Sequence, residues 1–92
     1  MKATINGNRY NSESCEKLAE RYHYSHGNCS GMTVLLRAKN GEYLEHTDTN
    51  GEDLYLRDLL EISEDIQEFL NFAAISDEQE ARLVELGLLK IV

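Results

Sequence analysis

Proline is missing from the chain altogether, so no rigid spacer divides its 92 residues. Nowhere is there a run of ~18 apolar residues long enough to cross a bilayer. The opening "MKATINGNRY" lacks the ~7–15-residue apolar core of a secretory leader. Together these absences point to a chain that works in the cytoplasm. The six glycines, at 7, 27, 31, 41, 51 and 87, stand alone. They form neither G-x-G-x-x-G nor G-x4-G-K, which excludes the usual phosphate-cradling loops. No serine, cysteine or histidine sits in a hydrolase motif, and the expectation is a protein that is not an enzyme. Cysteine is scarce, with only Cys15 and Cys29. Without a secretion signal both thiols are expected to stay reduced, and no cofactor is implied.

What is present suffices for one modest core. Leu, Ile, Val and Phe fill 23 of the 92 positions, above the ~20% at which disorder becomes the better expectation. The charge is lopsided. Residues 1–40 hold six basic groups against three acidic ones, a balance of +3. Residues 41–92 hold three basic groups against fourteen acidic, a balance of −11, which yields the overall −8. Such a division suggests two surfaces with different partners, the acidic one repelled by nucleic acid and drawn to surfaces built to hold it.

The pattern predicts a single α+β domain, residues 1–92, in which a small antiparallel sheet from two hairpins packs with an N-terminal helix and C-terminal helices. Asn6-Gly7 signals the first hairpin turn. Asn11 or Ser12 is placed to cap a helix whose apolar stripe is Cys15, Leu18, Ala19 and Tyr22 and which ends near Tyr24. "MTVLLRA" (32–38) reads as a buried strand. Asn40-Gly41 then predicts a type I′ turn into "EYLEHT", where Tyr43 and Glu45 face away from Leu44 and His46. Residues 53–57 fit a third strand or a helical turn. Ser63 is expected to cap a helix bearing Ile66, Phe69, Leu70 and Ala73. Ser76 and Gln79 form a capping box for a last helix through Leu83, Val84 and Leu86, stopped by Gly87. The tail "LLKIV" suits a packed end, an added edge strand or a dimer contact.

Three constellations carry chemical interest. His23, His26 and Cys29 recur every third residue and, with Cys15, could supply four zinc ligands. This supports an alternative reading as a small metal-stabilised regulatory or protein-interaction module, although a polar loop explains the same residues. The second constellation is basic and aromatic: Arg21, Tyr22, His23, Tyr24, His26 and Asn28, beside Arg37 and Lys39, with Arg9 added from the first hairpin. Such residues meet phosphates and stack on bases or fill protein pockets. The third is a carboxylate set of Glu42, Glu45, Asp48, Glu52 and Asp53, continued by Asp58, Glu61, Glu64, Asp65 and Glu68. Spaced carboxylates imitate a row of phosphates before a Lys/Arg-lined groove, and a solvated face is the plainer use of the same pattern. Direct DNA reading is disfavoured, because the helices expected at 64–75 and 77–86 hold a single basic residue, Arg82.

The segment "MKATINGNRYNSESCEKLAERY" resembles the opening of small phage and prophage proteins. Extended through "TVLLRAKNGEYLEHTDTNGEDLYLRDLLE" and "SDEQEARLVELGLLKIV", the whole chain resembles phage-encoded anti-CRISPR proteins, of the group that inhibits type I-F (Csy/Cascade) surveillance complexes. That resemblance implies a non-enzymatic inhibitor in the host cytoplasm. It would bind CRISPR-associated proteins, and CRISPR RNA held by them, and stop target DNA from docking or hybridising. No short motif carries the resemblance, so it assigns no individual residue.

Overall fold

The computed structural model describes residues 1–49 and 58–92; the residue 53–57 expectation lies outside them. Two antiparallel sheets and two short helices make up the fold of the described residues. Strands β1 (Lys2–Ile5) and β2 (Asn8–Asn11) pair as a hairpin. Its Asn6 and Gly7 both take positive φ, 50° and 80°, as a type I′ turn requires. A single 3-10 turn at Ser12–Ser14 follows, with the Asn11 side chain accepting from the Glu13 N–H. The Asn11 cap is therefore real, but the helix expected beyond it is not. Cys15 is already extended, and Glu16–Ser25 is a ten-residue strand, β3.

This correction has a local cause. The register of β3 on β4 (Asn28–Arg37) slips between Lys17 and Ala19, so Leu18 is an extra, bulged residue. The bulge sends two consecutive apolar residues, Leu18 and Ala19, into one core cluster. A strand of period two interrupted once then imitates a helical stripe. The aromatic and alternating run from Glu20 to Tyr24 suits a strand, and pairing with β4 decides the outcome. His26 and Gly27, with φ of 53° and 80°, make the type I′ turn joining β3 to β4. A segment that reads as loop is thus the tip of the longest hairpin.

Strand β5 (Tyr43–Thr49) pairs with β4, and β6 (Leu59–Ile62) with β5, completing the order β3-β4-β5-β6. The β4–β5 turn is also a correction. The Gly41 N–H donates to the Ala38 carbonyl and the Ala38 N–H to the Glu42 carbonyl. Of the Asn40-Gly41 pair only Gly41 has positive φ, 87°. The result is a three-residue loop with a glycine bulge rather than type I′. Asn40 spends its side-chain oxygen on the Glu42 N–H instead.

The four-stranded sheet is covered on both faces. Val34, Leu36, Leu44 and Leu60 meet Tyr10 under the β1–β2 hairpin, with Ala3 and Ile5 at the margin. Leu35 and the bulged Leu18 and Ala19 face α1 (Ile66–Asn71) and α2 (Asp77–Glu85), which contribute Phe69, Leu70 and Leu83. Alternation along β4 thus feeds two cores from one strand.

Helix α1 is shorter than expected and differently capped. Asp65, not Ser63, accepts from the Glu68 N–H. Ser63 is buried, and its hydroxyl donates to Glu45 Oε2 at 2.8 Å. The helix stops before Ala73 because Ala74 bridges to the β3 edge, exchanging both backbone bonds with Glu20. Helix α2 matches its sequence signals. The Ser76–Gln79 capping box is reciprocal. Gly87, at φ 77°, closes a Schellman motif in which Leu88 N–H reaches the Leu83 carbonyl and Gly87 N–H that of Val84. The tail is not a strand: Leu88 and Leu89 pack on the helix-side core, while Ile91 and Val92 are exposed. Ser76→Ala is expected to cost about 1 kcal/mol, measurable as a lower urea midpoint at unchanged slope.

A bidentate ion pair ties α2 to β3. Arg82 Nε donates to Glu16 Oε2 at 2.8 Å and Nη2 to Oε1 at 3.2 Å. The guanidinium holds the Glu16 carboxyl below the usual carboxylate range. A depressed acid stabilises the fold above its unfolded pKa, about 4.3, and that contribution is lost as pH falls through the lower folded value. The melting-temperature gap between wild type and Glu16→Gln should be widest near neutral pH and close under strongly acidic conditions.

Candidate binding surfaces

The β3–β4 hairpin divides the basic-aromatic residues between its two ends. At the tip, Tyr24 and Tyr22 are the exposed aromatics, with His26 in the turn and Asn28 directly after it. Tyr22 donates its hydroxyl to Glu20 Oε2 at 2.8 Å, which lowers the Glu20 carboxyl and raises the Tyr22 phenol. Two expected members serve the fold instead. His23 Nε2 lies 2.6 Å from Thr33 Oγ1, itself 2.9 Å from Thr47 Oγ1, a polar rung across three strands. Arg21 lies over the Phe72 ring, 5.1 Å from its centroid.

Arg37 and Lys39 are not beside this cluster. Arg37 pairs with Glu16 at the far end of β4, about 30 Å from the tip at ~3.3 Å per residue. Lys39 and Arg9 instead line a common cavity below the β1–β2 hairpin. One expected surface is therefore two. The zinc set is separated in the same way: Cys15 stands at the base of β3, while His23, His26 and Cys29 belong to the tip half. Among the described residues no three His, Cys, Asp or Glu side chains gather as a metal-holding group.

The acidic residues are gathered more tightly than spacing suggests. Glu45 from β5, Glu61 from β6, and Glu64, Asp65 and Glu68 at the start of α1 line one cleft of about 280 Å³. Ile62 and Phe69 also line it, and Arg21 is its single cation among the described residues. Three elements supply the carboxylates because α1 lies across the same face to which Glu45 and Glu61 project. Glu45 and Glu61 are directly opposite each other in the β5–β6 register. Two of the five have structural duties, Glu45 accepting from Ser63 and Asp65 capping α1. Glu61, Glu64 and Glu68 are exposed.

The rest of the acidic set lies elsewhere. Glu42 sits in the β4–β5 loop, and its N–H donates to Asn40. Alternation puts Asp48 on the opposite face of β5, where a hydrogen bond with Asp58 pushes the Asp48 carboxyl up. Glu52 and Asp53 are outside the described residues. The convergence of Glu61, Glu64, Asp65 and Glu68 with Glu45 depends on how α1 crosses the sheet, and no local signal announces it. Among the described residues no helix is long and apolar enough to cross a membrane. Comparison with known proteins found no matching family model, no matching curated protein and no matching solved structure.

Proposed function

We propose that the chain is a non-enzymatic inhibitor that binds a CRISPR-RNA-guided type I-F surveillance complex, with its acidic cleft set against a Lys/Arg-lined DNA groove. In this reading it is a phage product acting in the host cytoplasm to evade host defence. The full-length resemblance motivates the choice of target, and the cleft supports the chemistry. The observation that carries the reading is the Glu45–Glu61 pair, extended by three carboxylates at the start of α1. Like charges directly opposite each other on one face of a sheet destabilise it. A cationic partner turns that cost into attraction, and five carboxylates on one concave face present a short stretch of phosphate-like charge. The exposed Tyr22, Tyr24, His26 and Asn28 at the hairpin tip offer a second contact, suited to protein pockets or splayed bases of the guide.

Inhibition then requires only occupancy. A groove filled by carboxylates cannot neutralise the phosphates of an incoming duplex, so target capture fails before any bond is cut. The test is co-purification from a host carrying a type I-F system, followed by target-DNA binding by the isolated complex. The expected result is a stable assembly that no longer captures DNA. Full DNA capture in the presence of saturating protein would overturn the proposal.

A further inference from the structure

The cavity beside the first hairpin has a character opposite to that of the acidic cleft. It measures about 350 Å³ and lies between β2 and the β4–β5 loop. Among the described residues, the nine that line it include no Asp or Glu, in a chain that has seventeen. Arg9 and Lys39 both line it, the Arg9 guanidinium giving one hydrogen through Nη1 to Thr4 Oγ1 at 3.0 Å and keeping its other donors. Lys39 is near enough to Cys15 for its charge to oppose the burial that raises that thiol.

Two of the three asparagines on its wall, Asn11 and Asn40, are oriented by the backbone. Asn11 Oδ1 accepts from the Glu13 N–H and Asn40 Oδ1 from the Glu42 N–H, both at 3.1 Å. An N–H demands an oxygen, so what each amide has left to offer is its NH2. Asn40 Nδ2 gives one hydrogen to the Tyr10 hydroxyl at 3.1 Å, which frees the phenolic proton to be donated in turn. The carboxamide oxygens of both residues are turned to backbone N–H groups, and guanidinium and ammonium groups are donors only. Arg9, Lys39, Asn11 and Asn40 therefore present cations and N–H donors, the complement of a tetrahedral oxyanion.

We propose that this cavity is a phosphate-binding site, taking a phosphate group through Arg9, Lys39 and the amide NH2 groups of Asn11 and Asn40. It stands independently of the acidic cleft. The phosphate can be free or part of an RNA backbone, and the experiment separates the two.

Isotope-labelled protein is titrated with inorganic phosphate, and separately with a short single-stranded oligoribonucleotide lacking terminal phosphates, each against sodium chloride at matched ionic strength. Amide and side-chain NH2 resonances are followed by NMR. Saturable shifts of the Asn11 and Asn40 NH2 signals with inorganic phosphate support a free-phosphate site; the same shifts with the oligonucleotide alone support a backbone site. Asn40→Asp keeps the acceptor for Glu42 N–H and replaces the donor by a negative charge, so affinity should fall at least ~tenfold, the scale of one charge-assisted bond. Arg9→Gln with Lys39→Gln should lower it as much while leaving the Asn40 side chain and its bond to Glu42 N–H in place. Lys90→Gln, a loss of one positive charge in the exposed tail, should leave affinity unchanged. Shifts no larger than those of chloride with both titrants, or wild-type affinity in Asn40→Asp and in the double variant, would refute the site.

Discussion

Leu35→Ala is expected to remove about 2–5 kcal/mol of stability, the range for emptying a leucine-sized space in a packed core. Leu35 has no exposed surface and lies two residues from the end of β4, flanked by β3 and β5 and covered by Leu18, Phe69 and Leu83. Both helices rest on the apolar patch to which it belongs, and neither is long enough to persist alone. A domain of this size has roughly 5–15 kcal/mol in total, so the loss is a large share of what holds it folded. Urea titration should show a much lower midpoint with the same slope. A loss under about 1 kcal/mol would mean that the helices do not pack on the sheet as described. Leu44→Ala, equally unexposed but under the hairpin, should cost a comparable amount.

Under the proposed function, reversing three charges, Glu61→Lys, Glu64→Lys and Glu68→Lys together, should cut binding to the guided complex by at least ~100-fold near physiological salt. Each reversal removes an attraction to the groove and adds a repulsion, and coupled charge pairs at interfaces exceed about 1.5 kcal/mol each. Glu45 and Asp65 are left in place because one holds Ser63 and the other caps α1. The three changed side chains are exposed, so melting should move little. The main cost is the positive charge that Glu68→Lys brings into the first turn of α1, about a few tenths of a kcal/mol. Wild-type affinity should fall steeply with added salt, and the variant's residual binding should be far less salt-dependent. A normally folded variant that binds as well as wild type would remove the cleft from the mechanism.

Several elements are legible from short-range chemistry. Asn6-Gly7, the Ser76–Gln79 box and Gly87 are each decided within one turn by dihedral preference or by a cap, and each is found where expected. The buried strand at 32–38 falls largely within β4, because an apolar, β-branched run needs burial on both faces and finds it. β3 shows where local pattern misleads. A single bulge at Leu18 gives a strand the spacing of a helix, and only pairing with β4 reveals the difference. Ser63 fails as a cap for a similar reason: its neighbour in space is Glu45, eighteen residues earlier.

Composition by itself determined that the chain has enough apolar residues for a modest core, a lopsided charge and no recognised catalytic motif, since those depend on which residues occur and not on where they meet. The caps and two of the tight turns were likewise set locally, by groups one to four positions apart. Only the tertiary structure decided which carboxylates share a cleft, that Arg37 and Lys39 sit far from the hairpin tip, and that Arg9, Lys39 and two asparagines enclose one cavity. Strand register and the crossing of α1 over the sheet bring those groups together. Both arise from contacts between residues distant in sequence, whose energies no short stretch of chain contains.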